Sequence, residues 1–91
     1  MKPAQKMSES EMEVMRAVWA FEGPVTSAQV QESLGERGWK TTTVLTFLSR
    51  LAEKGLLRTE KRGKSNRYTP LLSEQEYKEW ETRSFLEEVH G

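Results

Sequence analysis

Apolar side chains recur at helical spacing along several stretches of this 91-residue chain. In the first stretch, one face collects Met12, Met15, Val18 and Trp19, with Val14 and Phe21 alongside. Ser8 and Glu11 stand just before it in the Ser-x-x-Glu pattern of a capping box. Gly23-Pro24 follows it and is a helix-stopping pair. The pattern predicts a first helix that starts at Ser8 and runs to that pair.

A second helix is predicted from the same signals. Thr26 and Gln29 repeat the capping box, and the inner stripe consists of Ala28, Val30 and Leu34. The helix is expected to end near Gly35 to Gly38, in a short link to Trp39.

The third predicted helix runs from about Thr41 to Lys54 and has two different faces. Its inner face collects Val44, Phe47, Leu48 and Leu51. Its outer face collects Thr42, Thr43, Thr46, Ser49, Arg50 and Glu53, with Leu45 at the boundary. Gly55 supplies a left-handed stop, after which Leu56 can close back on Leu51 in a Schellman ending.

After this helix the pattern changes from helical to extended. Residues 57–69 predict a β-hairpin with a Gly63-Lys64-Ser65 turn, ended by Pro70. Ser73 and Glu76 then form a capping box that opens a fourth helix, expected to reach Val89. The apolar face of this helix rotates along its length, from Tyr77 and Trp80 to Phe85, Leu86 and Val89. The first half is therefore expected to pack on its own domain and the second half on another surface, unless a kink near residues 82–84 realigns the two.

Three helices followed by a hairpin are the element order of a winged helix-turn-helix. The predicted fold class is mainly α with a small β-hairpin: a three-helix core plus wing, with an additional C-terminal helix. We expect a flexible arm at residues 1–7 and the winged helix-turn-helix domain at residues 8–70. Residues 71–91 are expected to form the C-terminal helix and the start of a dimerisation region.

Composition argues against enzymes, metal sites and membrane proteins. The chain has no cysteine and a single histidine, so disulfides, thiolate metal sites and histidine zinc sites are excluded. It also has no aspartate and no nucleophile elbow, and Gly63-Lys64-Ser65 lacks the first glycine of a phosphate-binding loop. We predict a non-enzyme without cofactor. Because no apolar run is long enough to span a membrane and no signal sequence is recognisable, we expect a cytoplasmic protein.

The charges are distributed unevenly although the formal net charge is zero. Residues 40–70 hold eight basic and two acidic side chains, whereas the segments on either side are net acidic. From charge alone, these basic side chains could also form a surface that contacts only solvent. In a winged helix-turn-helix, however, the third helix enters the major groove of double-stranded DNA and a basic wing lies beside phosphates. We therefore predict a sequence-specific DNA-binding protein.

The candidate DNA contacts fall into two groups. On the recognition helix, about residues 41–54, they are Thr41, Thr42, Thr43, Thr46 and Arg50, because hydroxyls and guanidinium groups suit base edges. The second group would contact the phosphate backbone of DNA, from the wing at residues 57–69 and from the residue before the recognition helix. Its members are Lys40, Lys61, Arg62, Lys64 and Arg67. Phe85, Leu86 and Val89 are candidate dimer contacts.

Alternative interpretations remain open at several of these positions. For Thr41, helix capping is favoured over DNA contact. Arg50 could pair with Glu53, Glu11 or Glu13 instead of with DNA. At the level of function, the alternative is a winged-helix module that binds proteins and not DNA, which would expose apolar side chains on the third helix or the wing. Leu45 is the one candidate for such a contact.

The chain also resembles a known family. The residues that carry the likeness are Ser8-x-x-Glu11-x-Glu13-Val14-Met15, Trp19, Trp39-x-x-x-Thr43-Val44-x-Thr46-x-Leu48-x-Arg50-Leu51-x-x-Lys54-Gly55-Leu56-Leu57, Arg67-Tyr68-x-Pro70 and Glu76-Tyr77. Over about residues 7–91 they look like the penicillinase-repressor family of bacterial winged-helix repressors. The resemblance implies a transcriptional repressor that binds an inverted-repeat operator as a homodimer, with Thr43, Thr46 and Arg50 contacting DNA. Thr42 lies beside them, where members often carry lysine or tyrosine.

The resemblance also bears on the oligomeric state. Members of the family usually continue past the position of Gly91 into helices that complete the dimer interface. Phe85, Leu86 and Val89 offer only a small patch compared with the ~1,200 Å² of a stable interface. We therefore expect this chain to be a weak dimer or a monomer, and the full functional form to be a homodimer.

Overall fold

The computed structural model describes residues 6–90, with side chains as far as Glu87. The elements follow one another in the order α1 (Glu9–Trp19), α2 (Ser27–Ser33), a 3₁₀ turn (Gly35–Arg37), α3 (Thr41–Glu53), β1 (Leu57–Arg62), β2 (Ser65–Pro70) and α4 (Glu74–His90). This order confirms the predicted three-helix core, hairpin and additional C-terminal helix.

Three of the helices begin at the predicted capping boxes. In each, the hydroxyl of the capping residue accepts a backbone N–H three residues on, and the side chain of that later residue accepts the N–H of the capping residue. The pairs are Ser8 with Glu11, Thr26 with Gln29, and Ser73 with Glu76. These starts depend only on neighbouring residues, which explains why the sequence alone located them.

The end of α1 was predicted wrongly. The helix stops at Trp19, before the Gly23-Pro24 pair. The reason is tertiary: Val25 and Tyr68 exchange two backbone hydrogen bonds, at 2.9 and 2.8 Å, and the chain leaves the helix early to bring Val25 to the edge of the hairpin. In addition, the indole N–H of Trp19 donates to the carbonyl oxygen of Leu72 at 3.0 Å.

Helix α2 is shorter and buries less than its pattern indicated. Val30 is its one buried residue among those described, and Ala28, predicted to extend the inner stripe, is exposed. A helix of seven residues presents only about two turns, so it has room for a narrow apolar stripe. The link that follows makes a 3₁₀ turn and ends at Gly38, whose φ of 65° is left-handed and suits glycine.

Helix α3 has the predicted bounds and ending. Val44, Leu48 and Leu51 are buried on its inner face. After the C-cap Lys54, Gly55 is left-handed with φ of 82°. The N–H of Leu56 donates to the carbonyl of Leu51 at 2.9 Å, the long hydrogen bond of a Schellman motif. The chain leaves this motif directly into β1.

The hairpin has a tighter turn than predicted. β1 and β2 pair antiparallel from Leu57 opposite Pro70 to Arg62 opposite Ser65, so Ser65 and Pro70 belong to β2. Gly63 and Lys64 alone form the turn, with a φ of 61° at Gly63, as the first position of a type II′ turn requires. This turn matches the twist of the paired strands and lets the pairing start one residue earlier.

The core lies between α1, α3, the base of the hairpin and the first half of α4. It contains Val14, Met15, Val18, Val25, Val30, Val44, Leu48, Leu51, Leu56, Leu57, Tyr68 and Tyr77. Met7, which was expected to lie in the flexible arm, is also buried, and its N–H donates to the hydroxyl oxygen of Tyr77 at 2.9 Å. Residues 1–5 of that arm lie outside the described part of the chain.

The two halves of α4 have different surroundings. Tyr77 is buried between Trp19 and Trp80, with ring centroids 6.4 and 5.5 Å away. Burial raises the pKa of Tyr77, and the carboxylates of Glu81 and Glu11 raise it further. In the second half, Phe85 is 63% exposed and Leu86 49% exposed. The side chains of Val89 and His90 lie outside the described residues. None of the helices described in residues 6–90 is long and apolar enough to cross a membrane.

Candidate nucleic-acid interface

The outer face of α3 is exposed along its length. Thr41, Thr42, Leu45, Thr46, Ser49 and Arg50 are exposed, while Thr43 is half-buried at the edge of the face. Val44 and Leu48, on the opposite side, have no exposed surface. The helix therefore presents short hydroxyl side chains and one guanidinium group to solvent, held by a buried apolar face. Hydroxyl and guanidinium groups are among those that contact base edges in the major groove.

The start of α3 is held by Gln31 of α2, not by Thr41. Lys40, a predicted backbone contact, occupies the N-cap position, and no side chain caps the helix there. Thr41 was interpreted as a cap, and this was wrong: its hydroxyl donates to Oε1 of Gln31 at 3.0 Å. The Gln31 amide in turn donates to the carbonyl oxygen of Trp39 at 3.2 Å. Gln31 thus uses both ends of its amide to tie α2 to the entry of α3.

A second set of contacts holds the link between α2 and α3 against α1. The Arg37 guanidinium pairs with the Glu13 carboxylate at 3.1 Å and lies 4.7 Å from the centroid of the Trp39 ring. Trp39 packs against Phe47 of α3 with ring centroids 5.0 Å apart. These contacts fix the path of the chain into the recognition helix.

The end of α3 is fastened to α1 by an ion pair. The Lys54 ammonium donates to Glu11, which is buried, and to the carbonyl oxygen of Lys6. Burial by itself would raise the pKa of Glu11, but the hydrogen bonds from Lys54 and from the Ser8 backbone N–H outweigh it and hold that pKa below its usual value. Glu11 therefore caps α1 and anchors α3 at the same time.

Arg50 has the freedom that a DNA contact needs. It was considered as a partner of Glu53, Glu11 or Glu13, but the ion pairs found among residues 6–87 do not include it. Its guanidinium lies 6.0 Å from the centroid of the Phe47 ring, one turn earlier on α3.

The basic residues of the hairpin are divided between its two faces. Side chains alternate along a strand, and Leu57 and Tyr68 are buried on the face that meets the core. The pairing register puts Lys61 on this same face. Arg62 and Arg67 lie on the opposite face, and Lys64 lies in the turn. The four predicted wing contacts therefore do not share one face of the sheet.

One acidic residue lies among these arginines. Glu60 is opposite Arg67 in the pairing register and shares its face with Arg58 and Arg62, which precede and follow it by two residues. It is exposed, and the ion pairs found among residues 6–87 do not include it. The period-two alternation of the strand is the sequence signal that places Glu60 among the arginines, beyond its contribution to the charge balance.

The sequence did not reveal Gln31 and Arg37 as residues of the site. Neither lies in the basic segment or on the recognition helix, and their hydrogen-bond and ion-pair partners are eight or more residues away in sequence. The alternative function, a module that binds proteins and not DNA, predicts exposed apolar side chains on the third helix or the wing. Among the described residues of α3 and the hairpin, Leu45 is the only large apolar side chain that is exposed, at 37%.

The part of the chain that is described also contains no cluster of acidic, histidine or cysteine side chains that could hold a metal ion.

Comparison with known proteins gives matches along the whole described domain. A profile of the family described as penicillinase repressor matches residues 7–91. The penicillinase repressor of Bacillus licheniformis is 33% identical over 91 residues, covering 100% of this chain and 71% of that protein. An uncharacterised 16.5 kDa protein of Latilactobacillus sakei is 39% identical over 87 residues, and the match spans 94% of this chain but only 59% of that protein.

The fold has a solved counterpart. The solution structure of monomeric BlaI from Bacillus licheniformis in complex with the blaP half-operator superposes with a TM-score of 0.67 at 33% identity. The superposition covers 85% of this chain and 94% of the other.

Proposed function

This chain belongs to the penicillinase repressor family of transcriptional repressors, and from that premise we propose that it binds double-stranded DNA with α3 in the major groove and the hairpin against phosphates. The observation that carries the proposal is the outer face of α3. This helix buries Val44, Leu48 and Leu51 on its inner face and exposes Thr42, Thr46, Ser49 and Arg50 on the other side. Threonines lower helix propensity, so their presence on an exposed face favours contact over packing.

The proposed contacts have two tasks. Thr41, Thr42, Thr43, Thr46 and Arg50 would read bases or position the helix in the groove, and the Gln31 bond leaves the Thr41 hydroxyl oxygen able to accept a hydrogen bond. Lys40, Lys61, Arg62, Lys64 and Arg67 would neutralise phosphates without regard to sequence. The relative from Bacillus licheniformis is bacterial, and a bacterial regulator of transcription meets its DNA in the cytoplasm. This protein would therefore act in the cytoplasm.

We further propose that the full functional form is a homodimer on an inverted-repeat operator. The exposed Phe85 and Leu86, on the second half of α4, support a contact with a second copy. Analytical ultracentrifugation would test this. Replacing Phe85 by serine should lower the dimer fraction, while the same change at Leu71, which is 54% exposed, should not. A tight dimer that tolerates Phe85→Ser would contradict the assignment of the interface.

The DNA-binding proposal can be tested on duplexes selected from a random library. We expect selected duplexes to bind more tightly than random ones, with an affinity that falls steeply between about 50 and 200 mM salt. Lys64→Ala should weaken binding to both kinds of duplex alike, and Lys78→Ala on α4 is the matched control that should leave both unchanged. Binding that is indifferent to salt, or selection that yields no preferred sequence, would overturn the proposal.

A further inference from the structure

One large apolar side chain, Leu45, lies at the boundary of the outer face of α3 and is 37% exposed. Leu45 is three residues after Thr42 and Thr46 is four residues after Thr42, so each of the two side chains lies beside Thr42 on the helix surface. Ser49 follows Leu45 by four residues and closes the group. Leu45 stands out because the other large apolar residues of α3 face the core or are half-buried. The part of Leu45 that reaches solvent lies among hydroxyl side chains.

The hydroxyl of Thr46 is already used inside the helix. It donates to the carbonyl oxygen of Thr42 at 2.9 Å. This is the back-bond that threonine makes to the preceding turn, and it consumes the only hydrogen that the side chain can donate. Thr46 is nevertheless exposed. What it offers a base is therefore a methyl group together with acceptor lone pairs, and, like Leu45, it lies beside Thr42 on the helix surface.

Major-groove chemistry gives these two side chains one matching base. Thymine presents a C5 methyl group in the major groove, whereas cytosine, guanine and adenine present no methyl group there. We infer that Leu45 and Thr46 read thymine methyl groups, so that each half-site carries at least one A·T pair recognised through apolar contact. This inference rests on the proposed function, and it assigns to Leu45 a role in specificity that the hydroxyl pattern alone does not give.

The test uses deoxyuridine, which lacks the C5 methyl of thymine and keeps its other major-groove and pairing atoms. In the duplex selected above, each thymine is replaced singly by deoxyuridine and the dissociation constant is measured. Loss of one well-packed methyl contact corresponds to about a fourfold loss of affinity. We expect such a loss for the wild-type protein at one or two thymines of each half-site.

Variants of the two residues separate the methyl from the hydroxyl. Thr46→Val keeps the shape and the methyl group, so affinity and sensitivity to deoxyuridine should stay within about twofold of wild type. Thr46→Ser keeps the hydroxyl and removes the methyl, so sensitivity should disappear at one thymine; Leu45→Ala should abolish it at the same or the adjacent thymine. Lys78→Ala, on α4, should change neither. Because Leu45 and Thr46 are exposed, thermal unfolding of each variant should show a folded protein.

Three results would overturn the inference. They are a selected half-site without thymine, a wild-type protein indifferent to every deoxyuridine replacement, and a Thr46→Val variant that behaves like Thr46→Ser. A failure of the proposed function is distinguishable from all three, because in that case no selected duplex would bind better than random DNA.

Discussion

The recognition helix and the hairpin are attached to the protein in different ways. Helix α3 is held on three sides: its inner face is buried, Gln31 ties its start to α2, and Lys54 ties its end to Glu11 of α1. The hairpin is held at its base, where Leu57 and Tyr68 are buried and Val25 pairs with β2. Beyond the base, residues 58–66 are all exposed.

This difference fits the separate tasks proposed for the two elements. Reading a base requires atoms placed to within a fraction of an ångström, so contacts at both ends and along one face of a helix are useful there. Neutralising phosphates requires charge near the backbone and tolerates looser placement. Mutations should therefore divide into those that disturb how α3 is held and those that change only the charge of the hairpin.

The largest effect is expected from the buried face of α3. Leu48 has no exposed surface, so Leu48→Ala removes buried methyl groups and leaves a cavity. The free energy of unfolding should fall by about 2 to 5 kcal/mol. The adjacent Ser49→Ala, on the exposed face, should change it by less than about 0.5 kcal/mol. Urea denaturation measures both; similar losses at the two positions would contradict the two-faced assignment of α3.

The next largest effect concerns the fastening at the end of α3. Lys54→Met leaves the buried Glu11 carboxylate without its cation and should lower the free energy of unfolding by about 1 to 3 kcal/mol near pH 7. The folded pKa of Glu11 lies below its ordinary value of 4.5, so its contribution to stability is present above pH 4.5 and is lost as the pH falls through the folded pKa.

The pH dependence provides the control for that prediction. In wild type, stability should decline as the pH falls below about 4.5, and in Lys54→Met this decline should be smaller because the main partner that lowers the pKa is gone. Denaturation at a series of pH values measures it. Parallel profiles for the two proteins would show that the ion pair does not fasten α3.

A smaller effect is expected from the fastening at the start of α3. Gln31→Leu removes two hydrogen bonds that are partly exposed and should lower the free energy of unfolding by about 1 to 2 kcal/mol. Because the change loosens the entry of the recognition helix, affinity for a selected duplex should fall more than affinity for random DNA. Gln75→Leu on α4 is the matched control. Equal losses on both kinds of DNA would reduce Gln31 to a residue of general stability.

The features that sequence reasoning predicted correctly are local ones. The capping box of Ser8 and Glu11 and the Schellman ending at Gly55 involve residues within six positions of each other, so the spacing of residue types was enough. The features that it missed depend on distant partners. Lys54 meets Glu11 across 43 positions, and α1 ends early because Val25 pairs with Tyr68. Thr41 was given a local role, but Gln31, ten positions earlier, supplies its partner.

The smallest effect is expected from the charge of the hairpin, and its direction is the opposite of the others. Glu60 shares a face with Arg58, Arg62 and Arg67, so its carboxylate opposes the attraction of that face for phosphates. Glu60→Gln should strengthen binding to selected and random duplexes alike by about two- to threefold near 0.1 M salt, with a steeper dependence on salt. Fluorescence anisotropy measures both quantities.

Glu79→Gln on α4 makes the same change of charge away from the hairpin and should have a smaller effect. A gain confined to the selected duplex would mean that the hairpin also takes part in reading sequence, and the division of tasks between the two elements would fail.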